Sequence, residues 1–110
     1  MYNNIGQAHE FLENYPMALC FYEKSLSQEQ KASPVDNASL ASIYKKIGQA
    51  HFSMKNHEMA LSSVLQALEI LERASNSDDS LLASMYNLTA EVYHAINEYT
   101  TAISFYEKVI

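Results

Sequence analysis

The stretch Tyr2–Lys24, YNNIGQAHEFLENYPMALCFYEK, is repeated 42 residues later as Tyr44–Gln66, YKKIGQAHFSMKNHEMALSSVLQ. A weaker third copy begins in the same register at Tyr86 and carries Ala90 where the first two copies have glycine. A fixed period of this length indicates a structural unit that recurs along the chain. The repeat therefore decides how the other features of the sequence are interpreted.

Apolar residues recur at steps of three and four within each copy, which is the spacing of one face of an α-helix. In the second copy one such stripe runs from Leu40 to His51 and another from Ala60 to Leu71. The polar break between them, at residues 55–56, is so short that the two helices must be antiparallel neighbours. We predict helices over residues 1–12, 15–31, 37–54, 57–74, 79–96 and 98–110.

Two polar segments, 32–36 and 75–78, separate the copies and are predicted to be turns. Each segment ends on an aspartate, Asp36 or Asp78, immediately before a predicted helix. An aspartate at this point accepts hydrogen bonds from free N–H groups of the first helical turn. We therefore expect both residues to be N-caps. No linker or domain boundary is predicted within residues 1–110, which form a single array.

Small residues recur within the first helix of every copy, as Gly6, Gly48 and Ala90. Glycine inside a helix costs about 0.5–1 kcal/mol relative to alanine, so its repetition implies a compensating contact. Because alanine does not readily adopt a positive φ, the shared requirement is small size rather than backbone freedom. A neighbouring helix is expected to approach closely at these three positions.

The composition excludes several classes of function. The 110 residues carry a formal net charge of -6, and their seven basic residues are scattered, whereas nucleic-acid binding requires concentrated positive charge. The longest apolar run, Met17–Tyr22, is far shorter than the about 20 residues of a membrane-spanning helix. The N-terminus does not resemble a signal peptide, and Cys20 is the only cysteine. We expect a cytoplasmic protein with no nucleic-acid or membrane partner.

No pattern in the sequence predicts catalysis, a metal site or a cofactor. The stretch 57–61, HEMAL, begins like a zinc-protease helix, but Leu61 stands where the second histidine ligand is required. His9 and His51 recur at one position of the repeat, which favours a role in packing. No cationic neighbour activates the Cys20 thiol, and both glycines lie within predicted helices rather than in a phosphate-binding loop. We therefore predict a protein that is not an enzyme.

The motif Y-x2-I-G-x2-H followed by A-x3-Y, which runs from Tyr2 to Tyr22, resembles the signature of the tetratricopeptide repeat. The second copy, residues 44–64, and the third copy, residues 86–106, follow the same motif with substitutions. The resemblance implies an all-α fold, a right-handed α-solenoid of about three antiparallel helix pairs. The expected units are residues 1–34, 35–76 and 77–110.

The period of 42 residues is longer than the usual period of about 34 in this family. It is similar to that of kinesin light chain repeats, which also tend to carry an acidic residue before each first helix, as Asp36 and Asp78 do here. The chain starts within its first predicted helix and ends at Ile110 without a polar capping helix. We therefore expect it to be part of a longer array.

In this family the first helices of successive pairs line a concave groove that holds an extended peptide or a partner helix. Asparagine and glutamine side chains can hydrogen-bond to the backbone of such a ligand, and Lys45 and Lys46 make the centre of the groove basic. We expect a protein or peptide ligand with acidic groups. The family's carboxylate clamp is not expected, because Leu88 and Ser84 replace an asparagine and a basic residue. The predicted groove residues are Asn3, Asn4, Gln7, Glu10, Phe11, Lys45, Lys46, Gln49, Phe52, Asn87, Leu88, Glu91 and His94.

These expectations predict a non-catalytic module for protein-protein interaction with an adaptor or scaffold role. Two alternatives remain open from the sequence. The chain could be the regulatory or targeting segment of a longer protein whose enzymatic domain lies outside these residues. It could also be a structural repeat that self-associates through the apolar surfaces at its two ends.

Overall fold

The computed structural model describes residues 2–31, 36–73 and 79–109, and these residues form six α-helices. Where the predicted end lies within the described residues, the observed end agrees with it to within one residue. The predicted ends at residues 1, 74 and 110, the turn segments 32–35 and 75–78, and the expected cap Asp78 lie outside the described residues. The helices are α1 (Tyr2–Phe11), α2 (Tyr15–Lys31), α3 (Asn37–Ser53), α4 (His57–Arg73), α5 (Asp79–Ala95) and α6 (Tyr99–Val109).

Asp36 caps α3 as its position in the sequence predicts. Its Oδ1 atom accepts hydrogen bonds from the backbone N–H groups of Ala38 and Ser39, at 3.0 and 3.3 Å. The backbone of Asp36 is extended, with φ -95° and ψ 105°, so the chain turns into the helix at this residue. The cap fixes where α3 begins.

The turn between the two helices of a unit has the same hydrogen bonds in all three units. In the second unit, the N–H of Asn56 donates to the carbonyl of His51 at 2.9 Å and that of Lys55 donates to Phe52 at 3.0 Å. This pair of bonds is a Schellman motif, whose C′ residue adopts the left-handed region. The C′ residues are Glu13, Lys55 and Asn97, with φ of 60°, 66° and 67°. Since the next helix starts two residues later, the motif also sets the antiparallel arrangement.

We expect Lys55→Gly to stabilise the protein by about 1 kcal/mol, because a side chain with a Cβ is disfavoured in the left-handed region by about that amount. Urea denaturation followed by circular dichroism measures the change in the free energy of unfolding. Asn97→Gly is the matched control at the equivalent position, and its gain should be smaller because asparagine tolerates this conformation. Equal gains, or a loss for Lys55→Gly, would contradict the interpretation of the turn.

The six helices stack in chain order, and each second helix packs on the first helix of the following unit. The core between α2 and α3 contains Leu19, Tyr22, Ile43 and Ile47, all less than a tenth exposed. A second core cluster lies further along the stack and includes Leu68. The first helices α3 and α5 also contact each other directly. The predicted all-α helical repeat is therefore confirmed.

The close helix contacts expected at the recurring small residues are present. A Cβ atom added to Gly6 would lie 2.7 Å from Cε1 of Tyr22 and 3.2 Å from the carbonyl oxygen of Ala18. A Cβ atom added to Gly48 would lie 2.8 Å from Cγ1 of Val64. Ala90 is completely buried. In the first two units the helices of a pair thus approach so closely that even the Cβ of alanine would force a neighbouring group to shift.

The outer units and the central unit are packed differently inside each helix pair. In the first unit the rings of His9 and Phe21 stack with centroids 5.5 Å apart, and Tyr93 and Phe105 do the same in the third unit. Lysine ammonium groups lie above these phenylalanine rings, at 5.1 Å for Lys24 and 4.8 Å for Lys108. In the central unit the residue equivalent to the two phenylalanines is Ser63.

His51 occupies this packing position in the central unit and is half-buried. Burial lowers the pKa of His51, and the negative charge of Glu23 opposes this shift only in part. The Nδ1 atom is buried, with no hydrogen-bond partner among the residues that the structure describes. An imidazolium would therefore place an N–H group where no acceptor is available, so the folded state favours neutral His51.

We expect stability to fall as the pH is lowered from about 8 to about 5.5, because unfolded His51, with an ordinary pKa of about 6.5, binds a proton more readily than folded His51. The stability that comes from neutral His51 is fully present above the pKa of this histidine in the unfolded chain. It is lost as the pH falls through and below that pKa. His51→Gln should show a weaker pH dependence of the urea midpoint over this range. The same pH dependence in both proteins would contradict the assignment to His51.

Candidate functional site

A cleft of about 290 Å³ lies between α1 and α3, on the face formed by the first helices. Five of its six lining residues belong to the groove set predicted from the sequence. Its polar residues come from equivalent faces of the first and second units, because Gln7 and Gln49 are separated by one period. The lining residues are Gln7, Glu10, Phe11, Tyr15, Lys46 and Gln49.

Glu10 supplies a fixed negative charge to the cleft. The hydroxyl of Tyr22, a completely buried residue of α2, donates a hydrogen bond of 2.7 Å to Oε1 of Glu10. Burial, this hydrogen bond and the charge of Glu10 together raise the pKa of Tyr22 above its usual range. The tyrosine therefore remains a donor at physiological pH, and the carboxylate is held in one position.

Lys46 supplies the positive charge. Its side chain is half-buried, and burial lowers its pKa, an effect that the charge of Glu10 opposes and the charge of Lys45 increases. No carboxylate among residues 2–31, 36–73 and 79–109 lies within ion-pair distance of Lys46. Its ammonium is therefore available to a ligand, whereas one oxygen of Glu10 already accepts the Tyr22 hydroxyl.

The two glutamines and the two aromatic residues complete the cleft. Gln7 and Gln49 are half-buried, and each amide offers both a donor and an acceptor to a ligand backbone. The Phe11 side chain is 88% exposed, which is unusual for a phenylalanine, and it lies on the rim. The cleft therefore combines an apolar rim with hydrogen-bonding walls and one charge of each sign.

Tyr15 is the cleft residue that the groove prediction missed. Its alignment with His57 and Tyr99 indicates a packing position, and it does pack against the core cluster between α2 and α3. In the second and third units the equivalent ring forms an edge contact with an aromatic residue at the end of the first helix, at 5.5 Å between Phe52 and His57. In the first unit that position is Glu10, and both Glu10 and Tyr15 line the cleft. The sequence feature that could have revealed this role of Tyr15 is Glu10, because the equivalent residues of the other two units, Phe52 and His94, are aromatic.

Other predicted groove residues lie outside this cleft. Asn4 is exposed, and the side chain of Asn3 lies outside the described residues. On α5, Asn87 donates a hydrogen bond of 3.3 Å to Glu91, and His94 forms an edge contact with Tyr99. Phe52 contacts His57, and Lys45 is half-buried beside Lys46. The groove surface of the third unit is thus exposed but separate from the cleft.

The structure corrects the prediction for Leu88, which was expected to offer apolar contact to a ligand. Its side chain is only 7% exposed and belongs to a core cluster that includes Met85. Leu88 is equivalent to Lys46, and Lys46 lies on the side of its helix that lines the cleft with α1. Since α3 and α5 contact each other directly, the same side of α5 is covered.

Within the described residues, no group of histidine, cysteine or acidic side chains has the arrangement of a metal site. None of the described helices is both long enough and apolar enough to span a bilayer. Cys20 is exposed on α2 and lies outside the cleft.

Comparison with known protein families identifies the class of protein. A tetratricopeptide repeat model matches residues 39–110, and a second model of the same description matches residues 1–31. The chain therefore belongs to the tetratricopeptide repeat family. Repeats of this family generally mediate protein-protein interactions and scaffolding, and the family is typically non-enzymatic.

Among solved structures, the crystal structure of BtubC (BKLC) from P. vanneervenii matches with a TM-score of 0.92. The sequences are 21% identical, and the match covers 98% of this chain and 43% of that protein. At this identity the similarity shows the fold alone. The sequence-based identification of tetratricopeptide repeats is confirmed by the family models. No curated protein matches the sequence at a significant level.

Proposed function

We propose that the cleft between α1 and α3 binds an extended segment of a partner protein and that this segment presents an acidic group to Lys46. The observation that carries the proposal is the cleft itself, which Lys46 lines together with two glutamines in equivalent positions. A peptide in extended conformation has free backbone N–H and C=O groups, which glutamine amides can satisfy. The chain would then act as a non-catalytic adaptor or scaffold.

The preference for an acidic ligand follows from a difference between Lys46 and Glu10, the two charged residues of the cleft. Lys46 is half-buried and forms no ion pair within the described part of the chain, so a ligand carboxylate would supply the close partner that it lacks. One oxygen of Glu10 already accepts a hydrogen bond from Tyr22, so only the other oxygen is left for a ligand's donor. Lys45 adds positive charge beside Lys46. An acidic side chain or a C-terminal carboxylate fits this arrangement better than a basic group does.

The proposal is tested by selecting ligands from a phage-displayed library of random short peptides on the immobilised chain. Selected peptides should be enriched in aspartate and glutamate, and fluorescence polarisation of synthetic copies gives their affinity. Lys46→Glu should weaken binding at least about tenfold, because the variant replaces an attraction with a repulsion. Lys31→Glu is the matched control, since it makes the same charge change at an exposed position outside the cleft.

Phe11→Ala tests the apolar rim separately from the charge. Because the side chain is 88% exposed, the substitution should leave the free energy of unfolding unchanged while it weakens peptide binding. Peptides without acidic enrichment, or peptides that bind equally to Lys46→Glu and Lys31→Glu, would refute the acidic preference. Peptides unaffected by Phe11→Ala and by Lys46→Glu would refute the cleft as the binding site.

A further inference from the structure

Apolar side chains are exposed at both ends of the helix stack. On α6, the last helix, Tyr99, Ile103 and Tyr106 are 52%, 57% and 38% exposed. At the other end, Ala8 of α1, the first helix, is exposed, and Leu12, directly after α1, is 77% exposed. We call the first set the α6 face and the second set, together with the half-buried Ile5, the α1 face.

Residues equivalent to these two faces meet inside the molecule. Two periods before the α6 face, in the first unit, the corresponding side chains of α2 belong to the core cluster that α2 shares with α3. Leu19, equivalent to Ile103, is 8% exposed, and Tyr22, equivalent to Tyr106, is completely buried. The α3 residues equivalent to the α1 face belong to the same core cluster. They are Ile47, Ala50 and Met54.

The two faces match the internal junction in residue type as well as in position. The α6 face repeats the order tyrosine, aliphatic, tyrosine of Tyr15, Leu19 and Tyr22. The α1 face repeats the order isoleucine, alanine, large aliphatic of residues 47, 50 and 54. The junction between α4 and α5 is less similar, because α4 has histidine and valine at the positions of the two tyrosines. The exposed faces thus reproduce the α2–α3 junction of the same chain.

We infer that copies of this chain associate head to tail, with the α6 face of one copy packed on the α1 face of the next as α2 packs on α3. The contact is heterologous, because different surfaces meet, and it leaves one free face at each end of any assembly. Such contacts extend into open chains of copies unless their rotation closes a ring. The cleft between α1 and α3 is not part of either face, so the inference is independent of the proposed function.

The test is the mass of the 110-residue chain in solution, measured by light scattering and analytical ultracentrifugation over about two decades of concentration, since association follows mass action. The weight-average mass should rise continuously above that of one chain. Leu12→Asp or Ile103→Asp should each abolish the rise, because each places a charge in one face. Both residues are more than half exposed, so these substitutions leave the folded monomer intact, which circular dichroism checks.

Met59→Asp is the matched control. Met59 lies in the central unit, outside both faces, and is 48% exposed, so it tests whether removal of any exposed apolar side chain has the same effect. This variant should associate as the unaltered chain does. If the chain stays monomeric throughout the range, or if Met59→Asp also prevents association, the inference is overturned, and a different protein segment covers the two faces.

Mixing the two face variants distinguishes head-to-tail packing from other arrangements. Leu12→Asp retains an intact α6 face and Ile103→Asp retains an intact α1 face, so the mixture should form dimers with one copy of each and nothing larger. Each variant alone should be monomeric. Dimers of Leu12→Asp alone would show that two α6 faces pack together, and a monomeric mixture would show that the faces do not meet. Either result overturns the inference.

Discussion

Tyr22→Ala is expected to lower the free energy of unfolding by about 3–5 kcal/mol, which is the range for removal of a large buried aromatic side chain. Tyr22 is completely buried, and its ring lies against the backbone of Gly6. The cavity would lie in the only cluster that joins the first unit to the second, among the described residues. Since a domain of this size is stable by about 5–15 kcal/mol, the loss is a large part of the total. Urea denaturation followed by circular dichroism measures it.

Tyr22→Phe separates the volume of the ring from its hydrogen bond. The variant retains the ring and loses only the hydroxyl that donates to Glu10 at 2.7 Å. Hydrogen bonds to charged groups contribute about 1.5–3 kcal/mol, and the half-buried Glu10 can regain hydration, so the loss should lie near the lower limit. If Tyr22→Phe were as destabilised as Tyr22→Ala, packing against Gly6 would not be the main contribution.

Gly48→Ala is also expected to destabilise the protein, although alanine is the better helix former by about 1 kcal/mol. The added Cβ would lie 2.8 Å from Cγ1 of Val64, a distance at which the valine side chain or the backbone of one helix must shift. Val64 is completely buried and its branched side chain has little rotamer freedom. Overpacking of this kind costs about 1–3 kcal/mol, so the steric term outweighs the helical preference. The free energy of unfolding in urea should fall.

A double variant provides the control for this prediction. Val64→Ala removes the atom that the new Cβ would contact, so Gly48→Ala/Val64→Ala should be less destabilised than the sum of the two single variants. Coupling between contacting residues is about 0.5–3 kcal/mol. Strictly additive effects would mean that the cost of alanine at position 48 has a different origin.

The sequence allowed the helix pairs and their closest contacts to be predicted because the repeat supplies three observations of each position. One buried glycine alone would have several explanations. Gly6, Gly48 and Ala90 together require small size, and the structure shows the neighbouring atoms that impose it. The helix ends agree because Glu13, Lys55 and Asn97 form the same turn.

The candidate cleft could be predicted only in part. Alignment of the units assumes that equivalent residues have the same neighbours, and in this structure they do not. Leu88 and Lys46 are equivalent, yet one is in the core and the other in the cleft. The amphipathic pattern of one helix indicates which side is apolar, but α3 packs against α2, α4 and α5 at once. Which side remains open depends on these neighbours, so the spacing within a single helix does not decide it. Tyr15 was missed for the same reason.

The ring stacks of the outer units affect how the array comes apart. Linear repeat arrays ordinarily begin to unfold at their terminal units. A terminal unit packs against one neighbouring unit, whereas a central unit packs against two. Here His9 with Phe21 and Tyr93 with Phe105 add cohesion inside the terminal units, whereas the central unit has Ser63 at the corresponding position. Aromatic pairs of this kind contribute about 0.5–1.5 kcal/mol beyond burial, which offsets part of a missing junction. These contacts therefore reduce fraying of the two terminal units.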